Sequence, residues 1–353
     1  MSLPSVIDLG NLPPNTTTVR RILLSTPVPV SLRCDSDLIT IEPSKLGAGK
    51  TWVRLQLNPL FLDDGTLLFT RIHILGGIQE NSIVIRGLLK AGSVAELPII
   101  RVPQDAGTLL EAYALAASGD CILIDAGIWQ AGIVIDKTIV FRAAFGAHAV
   151  LRGTGQPALT VRGHAILEEI SLMGENTESA LVCECGSLKI TGGRITAPDG
   201  DGLRLAGQSQ SQLQDVEISN CRGAGLQILG QASATLSYCQ LHQNRQSNLT
   251  SGAGTRIEAV RSGFQRSKIG SGIWAQGHVS LKDCSAFGNA HFGLYLESNA
   301  SALVQGGTFD QNGKGSVRAS GTSSITLDKV RFPPGTLTQD VSSDPTAVVA
   351  TIL

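Results

Sequence analysis

Two rhythms of apolar and polar residues divide the chain. Up to about residue 90 they alternate in strand-length runs: "VRRILLS" (19–25), "VPVSLRC" (28–34), "LITIEPS" (38–44), "TWVRLQLNP" (51–59), "TLLFTRIHIL" (66–75) and "NSIVIRGLL" (81–89). Period-two alternation puts one set of side chains on a single face of a strand, and the Gly, Asn and Asp between the runs supply turn geometry. Six or seven strands in about 90 residues predict a β-sandwich of immunoglobulin type. The stretch "TLLEAYALAASG" (108–119) instead spaces Leu109, Leu110, Tyr113 and Leu115 as a helix does, over about 107–118.

From Pro157 onward strands recur with a period of about 23 residues. The first strand of each turn is anchored at Leu159, Leu181, Leu203, Leu226, Leu249, Ile273, Leu294 and Val317, spaced 22, 22, 23, 23, 24, 21 and 23 residues apart. A second strand follows on a grid read as Leu167/Ile170/Leu172, Ile190/Gly193/Ile195, Leu213/Val216/Ile218, Leu236/Cys239/Leu241, Ile257/Val260, Leu281/Cys284, Leu303/Gly306 and Leu327/Val330/Phe332. A fixed period with this content is the mark of a solenoid, in which each coil covers the apolar face of its neighbour. The grid places Cys239 and Cys284 in one inward column with Val216 and Val260. Asn176, Asn220, Asn244, Asn289 and Asn312 each stand five or six residues before the next anchor. Asn tolerates left-handed backbone, and its amide can bond to an Asn one coil away, so a stacked ladder is expected. In the fifth coil Arg266 stands near that position.

Two resemblances follow from these residues. "VIDLGNLPPN", "LITIEPSKLGAGKTWVRLQLNP" and "IVIRGLL" together resemble the bacterial Ig-like domains grouped with the ASH and PapD-like families, which implies a spacer or docking module. The helical stretch, then "GDCILIDAG" and stacked strands, is similar to the N-terminal cap of right-handed parallel β-helices of the pectin-lyase-like fold. The Asn column matches their asparagine ladder. This resemblance covers roughly residues 100–335. The expected fold class is all-β: an N-terminal Ig-like β-sandwich (1–92), a join (93–103), a right-handed parallel β-helix with a short capping helix (104–335), and a C-terminal cap or tail (336–353).

Composition narrows the partners. Charged residues are 16% and the net charge is −1, so no basic field draws nucleic acid or anionic lipid. No run reaches the roughly 18 apolar residues of a membrane span. The start, "MSLPSVIDLGNLPP", has no basic stretch before an apolar one; as written the chain is expected in the cytoplasm, and secreted if it is a processed form. Seven Cys without a C-x-x-C spacing argue against a zinc site or a disulfide framework. Cys183 and Cys185, two apart on a strand, read as two buried thiols. The Asn-x-Ser/Thr sequences at Asn15, Asn248 and Asn299 carry no meaning without secretion.

Candidate chemistry is sparse. Polygalacturonase-type hydrolases resemble one another in Asn-Thr-Asp, Asp-Asp and Gly-His-Gly motifs, which are missing from the β-helix. The nearest matches are Gly163-His164-Ala165 and the "GDG" of "APDGDG" (197–202), read as a turn, and the sole Asp-Asp is Asp63-Asp64 in the other domain. Asp215 and Asp283 occupy corresponding positions three coils apart, about 14 Å, too far to share a Ca²⁺. No residue set indicates a cofactor, Ca²⁺ included. His242, His278 and His291 lie on different coils, with no metal-ligand pattern. "RSGFQRSK" (Arg261–Lys268) reads as a solvated basic loop, and Gly47-Ala48-Gly49-Lys50 lacks the spacing of a phosphate loop.

The outward positions of the first strand are more telling. The residue after each anchor faces solvent, giving a column Thr160, Val182, Arg204, Gln227, Thr250, Trp274, Tyr295, Arg318. A second column adds Arg162, Glu184, Gln276 and Glu297. Trp274 and Tyr295 on adjacent coils, beside Gln276, Glu297 and Arg318, form a candidate platform for a sugar ring or a protein partner; a covering by the N-terminal domain or the tail is the plainer alternative. The expected function is non-catalytic: one face of a rod presented to a carbohydrate or a protein. The alternative is a polysaccharide lyase or glycosidase with an atypical site, for which Glu184, Asp201 and Arg204 are the best local set.

Overall fold

The computed structural model describes residues 6–12, 18–57, 67–76, 81–89, 99–332 and 341–352. Asp63-Asp64, Asn15, residues 93–98 of the expected join and 336–340 of the expected tail lie outside them. The chain divides into two compact units, Met1–Ile100 with Gly119–Cys121, and Arg101–Ser118 with Ile122–Leu353.

The first unit is a two-sheet sandwich. The strands Thr18–Thr26, Ile39–Glu42 and Gly49–Leu57 form one antiparallel sheet. Val6–Leu12, Val30–Cys34, Lys45–Leu46, Leu67–Leu75 and Asn81–Leu89 form the other, in which Val6–Leu12 runs parallel to Asn81–Leu89. Alternation delivers Leu24, Val53 and Leu55 from the first sheet, and Leu32, Ile72, Ile83 and Ile85 from the second, into one buried core.

The second unit is a parallel β-helix of about eleven turns. At its start Leu109–Leu115 is α-helical, with the Thr108 hydroxyl accepting from the Glu111 amide at 3.1 Å as its N-cap. Three parallel sheets of twelve, nine and ten strands make the first, second and third faces. Every anchor expected from the sequence stacks in register on the third face, from Ile133 and Leu159 through Leu294 and Val317 to Val341. The strands Val341–Ser343 and Val348–Ile352 extend the third and first faces in the same register, so the described part of the tail continues the coil.

From Glu169 onward, each coil turns from the first face to the second through one left-handed residue. That column is Glu169, Gly192, Asp215, Tyr238, Arg261, Asp283, Gly306 and Lys329, all at positive φ. Asp215 and Asp283 do correspond, as turn residues. The next position faces inward and mostly carries a side chain, such as Val216, Cys239 or Cys284, but a Cβ on Gly307, at φ +88°, would lie 1.9 Å from the Cys284 carbonyl oxygen, so that coil admits only glycine.

The second-strand grid slips in two coils. Val260 registers with Ser237 and Lys282, so it points outward and does not share a column with Cys239 and Cys284. The inward residues of that coil are Ala259, Ser262 and Phe264, all buried. Ser262 can occupy the core because its hydroxyl accepts from the Cys239 amide at 3.1 Å and donates to the Val260 carbonyl at 3.0 Å. In the next affected coil Leu303 registers with Ser280, and Val304 takes the inward place beside Leu281. "RSGFQRSK" is not a loop: it contains the strand Gly263–Gln265 between two left-handed residues, Arg261 and Arg266.

The ladder is shorter than expected, and one rung is replaced. Asn244, Asn289 and Asn312 are rungs; Asn220 falls one position earlier, on a left-handed bend shared with Gln243, Arg266, Gly288 and Gln311, and Asn176 is exposed. Ser267 fills the rung between Asn244 and Asn289. Asn248, fully buried, bridges that gap: its Oδ1 accepts from Asn244 Nδ2 at 2.9 Å and its Nδ2 donates to Asn289 Oδ1 at 3.1 Å. Asn289 Nδ2 then donates to Asn312 Oδ1 at 2.9 Å. The seven thiols are all free. Cys183 is buried, but the strand ends there and the chain bends through Gly186 at φ +77°, which leaves Cys185 exposed. The expectation of two buried thiols is corrected accordingly.

Candidate binding face

The third face carries its outward columns where the anchors put them. Thr250, Trp274, Tyr295 and Arg318 are paired residue to residue across four adjacent strands. Parallel pairing sets Trp274 and Tyr295 one coil apart, about 4.8 Å along the solenoid. Trp274 is 37% exposed, high for an indole on a strand, and the described tail does not lie over it.

Trp274 and Tyr295 line one depression of about 300 Å³, together with Gln246, Thr250, Ile269 and His291. Ile269 is 54% exposed, so the lining offers apolar surface beside amide, hydroxyl and imidazole groups. Burial, and then the nearby Lys314 ammonium, hold the His291 imidazole below its usual value, which favours the neutral ring. The Tyr295 ring leans on Phe292 at 5.6 Å between centroids, and its hydroxyl accepts from Ser320 at 3.3 Å. Tyr295 is therefore a fixed wall, and Trp274 is the freer surface.

The other expected contacts are partly spent on each other. Gln276 donates to Glu297 at 3.0 Å, and Arg318 forms an ion pair with Asp344 of the last coil. Gln276 and Glu297 flank the aromatic pair, whereas Arg318 is held away from it. Sequence reasoning missed Gln246, Ile269 and His291, which lie at the turn entering the face; their signal was adjacency to the ladder, visible only once the turn is placed.

Glu184, Asp201 and Arg204 do not form one site. Glu184 pairs with Arg162 at 2.7 Å. Asp201 and Arg204 line a separate depression of about 460 Å³ with Glu178, Asp199, Arg222 and Arg245. Burial raises the Asp201 carboxyl above its usual range, opposed by the Ala224 amide, which donates to it at 2.7 Å. Asp199 accepts from the Asn176 amide at 2.9 Å. Both carboxylates thus cap backbone turns. On the second face His242 lies 3.1 Å from Glu217, which Arg194 also holds at 2.7 Å. On the first face His278 bonds Ser301 at 2.9 Å. No group of three or more His, Cys, Asp or Glu side chains among the described residues is arranged to hold a metal ion. No helix among them is long and apolar enough to cross a membrane.

Residues 179–332 match the family model for a right handed beta helix region, and the coils are those of a right-handed parallel β-helix. Solved structures similar to the chain include a pectate lyase, Pel9A, at 13% identity and TM-score 0.47 over 73% of this chain and 79% of that one. An α-1,3-glucanase from Streptomyces thermodiastaticus is 12% identical, with TM-score 0.49 over 94% and 88%. An Acinetobacter phage tailspike is 9% identical, with TM-score 0.45 over 83% and 73%. These likenesses concern the fold alone. No curated protein sequence matches the chain.

Proposed function

We propose that this protein is a non-catalytic binding protein that presents the third face of its β-helix to an extended polysaccharide. The observation that carries the reading is the exposed indole of Trp274, one coil from Tyr295 in a depression lined by apolar and hydrogen-bonding side chains. An indole face stacks on the C–H face of a pyranose, and rim amides and hydroxyls replace the water on its hydroxyl groups. The apolar surface is one indole and one isoleucine wide. A protein partner would ask for a broader desolvated core. Parallel coils also repeat the same outward geometry along the axis, which suits a linear ligand better than a compact one.

Catalysis fits less well. A glycosidase needs two carboxyl groups facing one bond, and a lyase needs a base beside a neutralising cation. Asp201 and Asp199 are each engaged by a backbone amide, and Glu184 by Arg162. The test is a polysaccharide panel scored for affinity and for new reducing ends. Trp274→Ala weakens binding about tenfold and Tyr295→Ala by less, with no chain cleavage. Cleavage that survives Trp274→Ala would replace this reading with an enzyme working elsewhere on the coils.

A further inference from the structure

The same side of the solenoid carries a row of exposed cations that form no ion pair among the described residues. Ladder side chains turn inward, so the residue after each one projects outward. Arg222 follows Cys221, Arg245 follows Asn244, and Lys268 follows Ser267. The amide of Arg245 donates to the Cys221 carbonyl at 2.8 Å and that of Lys268 to the Asn244 carbonyl at 2.9 Å, which stacks the three on successive coils. They therefore repeat about every 4.8 Å along the axis.

Several other arginines of the solenoid sit against a carboxylate, Arg142 with Glu168, Arg162 with Glu184, Arg194 with Glu217, Arg256 with Glu258 and Arg318 with Asp344, whereas Arg261 meets the Tyr238 hydroxyl instead. Arg222, Arg245 and Lys268 are exposed, and no ion pair joins them to a carboxylate among the described residues. Stacked like charges repel, a cost that the fold itself does not need. The row lies beside two depressions that share Gln246: Arg204, Arg222, Arg245 and Gln246 line one, and Gln246, Ile269, Trp274 and Tyr295 line the other. Lys314 stands beside His291 at the far end. The acids lie upstream: Asp199 and Asp201 take backbone amides, and Glu178 reaches Arg204 at 3.8 Å.

We propose that Arg222, Arg245 and Lys268 form an ionic rail that selects a linear anionic polysaccharide, its acidic groups held on successive coils while a ring stacks on Trp274. This rests on the binding reading above. Guanidinium forks match carboxylate and sulfate oxygens in paired hydrogen bonds, and the ammonium adds a point charge. A single-stranded nucleic acid fits less well, because successive bases ask for a run of aromatic platforms, whereas the outward column beside the row carries Trp274 and Tyr295 between Thr250 and Arg318.

The full chain is titrated with polygalacturonate, dextran sulfate, neutral dextran and single-stranded DNA at low and high NaCl. The comparison is with R222Q/R245Q/K268Q and with an equal-charge control on the first and second faces, K189Q/K282Q/R331Q. At least one of the two acidic glycans binds, weakening as salt rises, and the rail variant loses about tenfold while the control does not. Which acidic glycan binds separates carboxylate from sulfate. Neutral dextran bound as tightly, without salt dependence but lost in W274A, overturns the rail and leaves the platform standing. Equal loss in the control, or DNA bound best, also overturns the rail. Silence with every glycan removes both. Unchanged thermal unfolding of the variants shows that they remain folded.

Discussion

Between Asn244 and Asn289 the ladder column holds Ser267, whose hydroxyl is too short to reach either amide, and Asn248 supplies the missing rung from the next stretch of chain. Its own site is fully buried, so the Asn248-Leu249-Thr250 sequence is closed to glycosylation in the folded protein. Asn248→Ala leaves an Asn244 N–H without its partner and removes one of two donors from the Gln265 carbonyl, which keeps the Gln243 amide, and costs about 1–3 kcal/mol in urea unfolding. Adding Ser267→Asn restores a rung in the column and recovers most of the loss. A neutral Asn248→Ala would show that the bridge is incidental. Asn244, Asn289 and Asn312, five residues before their anchors, were legible in the sequence, whereas Asn176, also five before Leu181, is exposed at a left-handed bend. Asn220 stands six before Leu226, and that single step moves it from the ladder to the left-handed bend. Asn248 was not legible, because it belongs to no repeating position.

At the scale of the strand, the anchors were readable because each is a lone apolar pair framed by glycine or polar residues. The second strands were readable where the two parities differ in hydrophobicity. In "RIEAVRSGFQ" they do not: Ile257 and Ala259 share one parity with Val260 beside them, and the inward place two residues on is the polar Ser262. The register assigned by the structure makes a sharp contrast. Phe264→Ala removes a fully buried ring and costs about 3–5 kcal/mol. Val260→Ala trims an outward, half-buried side chain and costs less than about 1 kcal/mol. Equal losses in equilibrium unfolding would mean that the strand is shifted by one residue. The same ambiguity explains Leu303 and Val304.

For the whole molecule, a 23-residue period fixes which residues stack, and hence the aromatic column of the third face, before any coordinates are known. It does not fix the turns. Arg222, Arg245 and Lys268 lie at a corner outside the strands, so the cation row emerges only when the ladder beside it is placed. Glu184 shows the opposite failure: it was near Arg204 in the column count, yet an ion pair with Arg162 takes it elsewhere. What remains decisive is whether a glycan touches the indole. Trp52 and Trp129 can be replaced by Phe, leaving Trp274 as the sole tryptophan, and its emission followed while polygalacturonate, dextran sulfate or dextran is added. A saturable blue shift with at least one of them, at the concentrations where binding is seen by calorimetry, is the expected result, since stacking removes water from the ring. Calorimetric binding with an unchanged Trp274 spectrum would place the ligand on another face and contradict the account.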